Sequence, residues 1–259
     1  MSDEGDAMNI RNTAKAKMLA GEPVYGWALG LGSALVAERM AATGIDFVMI
    51  DGQHGSWGTD TMIPAFMAIA AGGATPMARV PSNDYTRIGK LLDEGALGII
   101  VPMVHTADDA KRAADACRFP PVGTRSWGWG RVGVYGNDYP QSINDEVFLA
   151  VQIESAAAVR NAEAILGTSG VDGCWIGPSD LQLSLGQVPW SESGVAALNE
   201  ALIQIEAAAK NTGKILGFAT NGPQHSVELA ARGYQFLTAG SDIGFMLDGA
   251  AQGLKVLRG

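Results

Sequence analysis

A (β/α)8 TIM barrel is the fold this 259-residue chain predicts. Three observations carry that expectation. Strand-like and helix-like segments alternate eight times. The strands are short, uninterrupted apolar runs, as expected when both faces are buried. Polar residues stand where several strands end, which is the active face of such a barrel. An open doubly wound sheet is the alternative, but it usually has fewer strands, and no Gly-x-Gly-x-x-Gly follows the first strand here.

The elements follow in order. Val24 to Leu29 reads as the first strand, followed by a helix from Ser33 to Thr43. Phe47 to Ile50 is the second, with a helix from Thr59 to Ala71, and Pro76 to Val80 the third, with a helix from Tyr85 to Glu94. Gly98 to Val104 is the fourth, with a helix from Ala107 to Cys117, and Leu149 to Ile153 the fifth, with a helix from Ala156 to Leu166. Gly173 to Ile176 is the sixth, with a helix from Gly194 to Asn211, and Ile215 to Ala219 the seventh, with a helix from Gln224 to Arg232. Phe236 to Ala239 completes the set, and Gly244 to Leu257 is a final helix. Glycine follows several helices (Gly44, Gly95, Gly170, Gly213, Gly233), as a C-cap requires.

Composition narrows the function. With 47% apolar residues, the chain supports one large core, so residues 1–259 read as a single domain with 1–10 flexible. A net charge of −9 argues against nucleic acid or an anionic membrane as partner. Cys117 and Cys174 match neither a disulfide framework nor a zinc spacing, which suits reduced thiols in the cytoplasm. Met1 to Asn9 is too polar for a signal peptide, and no apolar run approaches the roughly 18 residues of a membrane span.

One insertion breaks the rhythm. Phe119 to Asn144 is rich in glycine and carries Arg125, Trp127, Trp129 and Arg131. Long loops in compact domains are usually functional. An oligomer contact is the competing reading, and both hold if the loop crosses into a neighbour's active site.

Two short stretches carry most of the chemistry. Gln152-Ile153-Glu154 and Gly177-Pro178-Ser179-Asp180 each put a carboxylate where a strand emerges. Two carboxylates from neighbouring strands suit Mg²⁺ or Mn²⁺. Capping is the bland alternative for Glu154 and Asp180. His54, after the second strand, offers a base near neutral pH or a solvated loop histidine. Arg79, after the third, offers a cationic fork for a carboxylate or a developing enolate oxygen, or a salt bridge to a nearby acid. Asp93 ends an apolar helix, where its charge opposes the dipole and calls for a cationic or imidazole partner.

In order, the chain reads Asp-Gly-Gln-His, Arg-Val-Pro-Ser-Asn-Asp, Leu-Leu-Asp-Glu-Gly, Val-Pro-Met-Val, Pro-Pro-x-Gly-x-Arg, Gln-Ile-Glu and Gly-Pro-Ser-Asp-Leu. From about Val24 onward this resembles the HpcH/HpaI family of metal-dependent class II pyruvate aldolases. The resemblance implies Glu154 and Asp180 as ligands of Mg²⁺, Mn²⁺ or Co²⁺. It implies Arg79 as the residue that stabilises a pyruvate enolate, His54 as base and Asp93 as the acid orienting it. Gln152, with the backbone at Pro178 and Ser179, would contact the 2-keto acid. In the inserted loop, Arg125, Trp127, Trp129 and Arg131 are the candidates for choosing the aldehyde. A homo-hexamer with an exchanged C-terminal helix is also implied. Two departures touch the rim as the sequence places it: Gln53, where the family often has Glu, and Ser126-Trp127-Gly128-Trp129-Gly130 after Arg125. A CoA-ester lyase and a non-catalytic sugar-acid binding protein are the alternatives. The acidic chain offers little to CoA phosphates.

Overall fold

The structure is a computed structural model that describes residues 11–259 except Trp129 and Asn137. The segment 1–10, expected to be flexible, lies outside the described residues, as does Trp129. The strands are β1 (Val24–Leu29), β2 (Phe47–Asp51), β3 (Thr75–Arg79), β4 (Gly98–Val101), β5 (Phe148–Ile153), β6 (Gly173–Ile176), β7 (Gly217–Ala219) and β8 (Phe236–Ser241). They form a closed barrel in chain order, every pairing parallel. β8 returns to β1 with Val24 opposite Phe236.

The helices are α1 (Thr13–Leu19), α2 (Ala34–Ala41), α3 (Thr59–Ala71), α4 (Tyr85–Asp93), α5 (Ala107–Cys117), α6 (Tyr139–Glu146), α7 (Ala156–Arg160), α8 (Ala162–Leu166), α9 (Pro178–Ser184), α10 (Glu192–Thr212), α11 (Pro223–Ala231) and α12 (Asp242–Arg258). The single helix expected over 156–166 is broken at Asn161, whose side chain donates to the His105 carbonyl at 2.8 Å. Three helices, α1, α6 and α9, have no counterpart among the expected ones. Each is short and depends on docking rather than on a sustained apolar period. Gly213 ends α10 with φ 65° and ψ 33°, the left-handed C-cap expected of it.

Strand alternation divides the core. Phe47, Met49, Met77, Ile100, Phe148, Ala150, Trp175 and Phe236 point inward and fill the barrel. Their neighbours, such as Val48, Ile50, Ala78, Leu149, Val151 and Ile176, point outward under the helices. The inner rings need space: a Cβ on Gly26 would lie 2.2 Å from the Phe47 ring. Ala14 and Met18 of α1 join the inner cluster from below and close the N-terminal end.

That closed end is held by charge. Asp172 accepts from Arg118 Nη2 at 2.9 Å and from the Leu149 amide at 2.7 Å, and it pairs with Lys15 Nζ at 3.2 Å. Lys15 Nζ also donates to the Asp145 and Val147 carbonyls at 2.7 and 2.8 Å. Burial pulls the Lys15 pKa down, against the opposing pull of Asp172. Removing one partner of a buried charge cluster strands the others without compensation. Asp172→Ala is therefore expected to cost about 3 kcal/mol, read as a lower urea midpoint. A cost under about 1 kcal/mol would show that Lys15 and Arg118 do not depend on it.

Candidate active site

The opposite, C-terminal end of the barrel is open. Inward alternation along β2, β3 and β5 places Asp51, Arg79 and Gln152 in its upper layer. Asp51 and Arg79 are register partners on adjacent strands. The guanidinium donates to Asp51 through Nε at 2.9 Å and Nη2 at 2.5 Å, a bidentate pair. Its plane lies over the Trp175 ring, with Cζ 5.4 Å from the centroid. Burial pushes the Asp51 carboxyl up, but the Arg79 hydrogen bonds and charge outweigh it and hold it below the usual carboxylate range. Asp51 also accepts from the Gln53 and His54 amides at 3.1 and 3.2 Å, so it organises the loop after β2.

Glu154 follows β5 in the same inward register as Gln152 and is 2% exposed. It does not cap α7, because Ser155 does so by accepting from the Ala158 amide at 3.1 Å. Glu154 Oε1 accepts from the Met103 amide at 2.7 Å, and Oε2 accepts from Gln152 Nε2 at 2.6 Å. Gly177 makes room for this carboxylate: a Cβ there would sit 2.6 Å from Oε2. Burial raises the Glu154 pKa, the Met103 hydrogen bond lowers it, and the negative charge of Asp180 raises it further. Asp180 is exposed in the first turn of α9, whose N-cap is Gly177, so neither Ser179 nor Asp180 is the cap. Two neighbouring carboxylates that repel each other form an oxygen-only donor set, which fits a hard divalent cation with water or substrate completing its shell. No group of three or more metal-ligating side chains occurs among the described residues.

Two cavities open here. One of about 290 Å³ is lined by Gln152, Pro178, Ser179, Asp180 and Trp190. One of about 400 Å³ is lined by Asp51, Met49, Ser241, Phe245 and Asp248. Arg79, Trp175, Ala219, Thr220 and Asn221 line both.

The expected set is not all in one place. Arg79, Gln152, Glu154, Pro178, Ser179 and Asp180 meet at this mouth. His54 is on the same rim with an exposed side chain, outside the lining of both cavities. The expected contact between His54 and Asp93 does not form within the chain. Asp93 ends α4, which runs down the barrel wall, so its carboxylate lies at the N-terminal end, 2.7 Å from Arg125 Nη2. The described residues between 119 and 144 also lie there and not over the rim, because this segment joins the end of α5 to the start of β5. Arg125 is 2% exposed, stacked on Phe119 at 4.5 Å and bonded to the Tyr139 hydroxyl at 3.2 Å. Trp127 packs on Phe119 and Tyr139, at 5.4 and 6.0 Å between centroids. Neither reaches the mouth of its own barrel. Asp51 and Trp175 were not among the expected site residues. The inward parity shared with Phe47 and Met49 marks Asp51, but no sequence signal marks the Met103 amide.

A parallel barrel with an acidic pair beside a braced guanidinium at its C-terminal mouth has the layout of an enzyme that stabilises negative charge on a substrate oxygen. Comparison with known proteins sharpens this. Residues 27–248 match the HpcH/HpaI aldolase/citrate lyase family. A 4-hydroxy-2-oxo-heptane-1,7-dioate aldolase of Shigella flexneri is 38% identical over 217 residues, 80% of each chain. The crystal structure of an HpcH/HpaI aldolase/citrate lyase family protein from Burkholderia cenocepacia superposes with a TM-score of 0.89 at 32% identity, covering 96% of this chain and 100% of that one. The citrate lyase β subunit of M. tuberculosis reaches a TM-score of 0.56 at 17% identity over 86% of this chain and 93% of its own, a likeness of fold alone. The chain belongs to the HpcH/HpaI aldolase/citrate lyase family and is a carbon–carbon lyase.

Asp51→Asn keeps the shape of the brace and removes its charge. The expected loss is about 2 kcal/mol of stability at neutral pH, typical of a hydrogen bond to a charged group. Because the folded-state pKa of Asp51 is lowered, its contribution is present above the usual carboxylate range and is lost as pH falls through the lowered value. The gap between wild type and variant should therefore close in acid, as measured by urea midpoints across pH. A gap that widens in acid would contradict this assignment.

Proposed function

We propose that the chain reversibly cleaves 2-keto-4-hydroxy acids to pyruvate, or a close analogue, and an aldehyde, using Mg²⁺, Mn²⁺ or Co²⁺. The observation that carries this reading is the inward-facing Glu154 beside Asp180 and the Asp51-braced Arg79 at one mouth. The Shigella relative, named for a 4-hydroxy-2-oxo acid, supports it.

In this reading Glu154 and Asp180 hold the cation. When bound, the cation supplies Lewis-acid polarisation of the substrate's C1 carboxylate and C2 carbonyl. The Ser179 amide, in the first turn of α9, faces the carboxylate end, whereas Pro178 has no N–H to offer. His54 takes the proton from the C4 hydroxyl. The C3–C4 bond breaks, its electrons pass to C3 and the C2 oxygen, and the aldehyde departs. Arg79 faces the oxygen where this charge collects, held rigid by Asp51 so that little reorganisation is needed. A proton returned to C3 gives pyruvate. Asp93 has no part in the chemistry of its own chain, and no Schiff-base lysine is required.

We also propose assembly with other copies, as a hexamer in the cytoplasm, through an exchanged α12. Only Asp242 of α12 is buried, where it accepts from the Gly30 and Leu31 amides at 2.9 and 3.0 Å. Met246, Leu247, Val256 and Leu257 are 53–84% exposed, a span of apolar surface that a second copy would cover.

Two tests follow. EDTA-stripped protein should release pyruvate from 2-keto-4-hydroxy acids only after divalent metal is restored, followed with lactate dehydrogenase. Glu154→Ala and Asp180→Ala should each lower kcat/KM by at least about a hundredfold, near 3 kcal/mol of transition-state stabilisation. Full activity in either variant would sink the scheme. Light scattering after gel filtration should give about six times the 26.9 kDa chain mass, and Val256→Asp with Leu257→Asp should lower it. A monomeric wild type would remove the assembly proposal.

A further inference from the structure

The charges around the mouth bear on the aldehyde half of the reaction. Among the described residues Arg79 is the one cationic side chain lining either cavity, and its Nε and Nη2 are already bonded to Asp51. Asp51 is neutralised by Arg79 and Asp180 is assigned to the cation, which leaves Asp248 as the free acid among the described lining residues. The large side chains that remain are Trp175, Trp190 and Phe245. A carboxylate at the far end of an aldehyde would meet Asp248 and aromatic faces there, with no unpaired cationic side chain among the described lining residues. An uncharged, flat or apolar body would meet compatible surface.

Trp190 has a further peculiarity. Its φ is 66°, a left-handed conformation that a bulky residue adopts only when its surroundings enforce it. A side-chain hydrogen bond holds this backbone. The Trp190 amide donates to Gln182 Oε1 at 2.9 Å, and Gln182 Nε2 donates to the Pro178 carbonyl at 2.9 Å. Gln182 is fully buried. One amide side chain thus ties the Trp190 backbone to the turn that presents Ser179 and Asp180. Trp190 is 49% exposed and lines the same cavity. Strained backbone, buried tether and half-exposed aromatic surface together describe a held wall rather than a chance surface residue.

Resting on the aldolase reading, we propose that Trp190 determines aldehyde specificity and selects an uncharged aldehyde with an aromatic or apolar body over one ending in a carboxylate. The Shigella relative is named for a dioate, so the preference separates this chain from it.

The experiment is aldol addition of pyruvate to two probes by the full-length protein with Mn²⁺, product measured by chromatography. Benzaldehyde is the uncharged probe and succinic semialdehyde the charged one. Wild type should favour benzaldehyde by at least about tenfold in kcat/KM, a modest pocket discrimination. Trp190→Gly, which suits the positive φ, should lower that preference by about tenfold, chiefly through the KM for benzaldehyde. Trp190→Phe should retain most of it. Deuterium exchange at the pyruvate methyl in D₂O needs no aldehyde and reports enolate formation separately. Exchange together with a wild-type preference for succinic semialdehyde overturns the inference and leaves the aldolase reading standing. A Trp190→Gly variant that loses both aldehydes equally does the same. Should that variant fail to fold, the wild-type ratio and Trp190→Phe decide. No exchange with any divalent metal overturns both.

Discussion

Closure of eight parallel strands is the constraint on which the other features rest. In a parallel barrel every strand enters at one end and leaves at the other, so all loops that follow strands share one mouth. The two-residue side-chain period then sends alternate residues inward. Phe47, Met49, Met77, Phe148, Trp175 and Phe236 occupy the inner positions and leave no open pore. The last inward positions, Asp51, Arg79, Gln152 and the loop residue Glu154, emerge above that packing. Their convergence follows from strand parity and register, although they come from three strands spread over residues 51 to 154 of the sequence.

The two ends of the barrel use charge differently. At the closed end, Asp172 is surrounded by Arg118, Lys15 and the Leu149 amide, and α1 seals the floor. These charges have partners and serve stability. At the open end, Asp51 and Arg79 satisfy each other, but Glu154 and Asp180 are left as like charges side by side. Burial and Asp180 both disfavour the ionised Glu154, and only the Met103 amide, Gln152 and Arg79 oppose them. An acidic pair only partly compensated, beside a braced cation, is unfavourable for folding alone and suitable for binding. Such local conflict between stability and arrangement is characteristic of functional sites.

Much of this was legible in the sequence because it depends on local patterns. The eight apolar strand runs, the helix ends and the positions of Arg79, Gln152, Glu154 and Asp180 at strand exits all follow from short-range periodicity and turn chemistry. The short helices α1, α6 and α9 were not legible, since none has a long enough apolar period to announce itself. Nor was the pairing of Asp51 with Arg79, which requires β2 and β3 to be in register.

The sequence by itself determined the fold class, the order of the elements and the places of Glu154 and Asp180 at strand exits, because strand parity and apolar runs are properties of neighbouring residues. Only the tertiary structure decided which charges meet. It placed Asp93 with Arg125 at the closed end, away from His54, and laid the Trp127 loop beneath the barrel. It also set Trp190 on the cavity wall through a buried glutamine. Those contacts join residues distant along the chain, and their partners are chosen by helix direction and barrel closure, which no local pattern encodes.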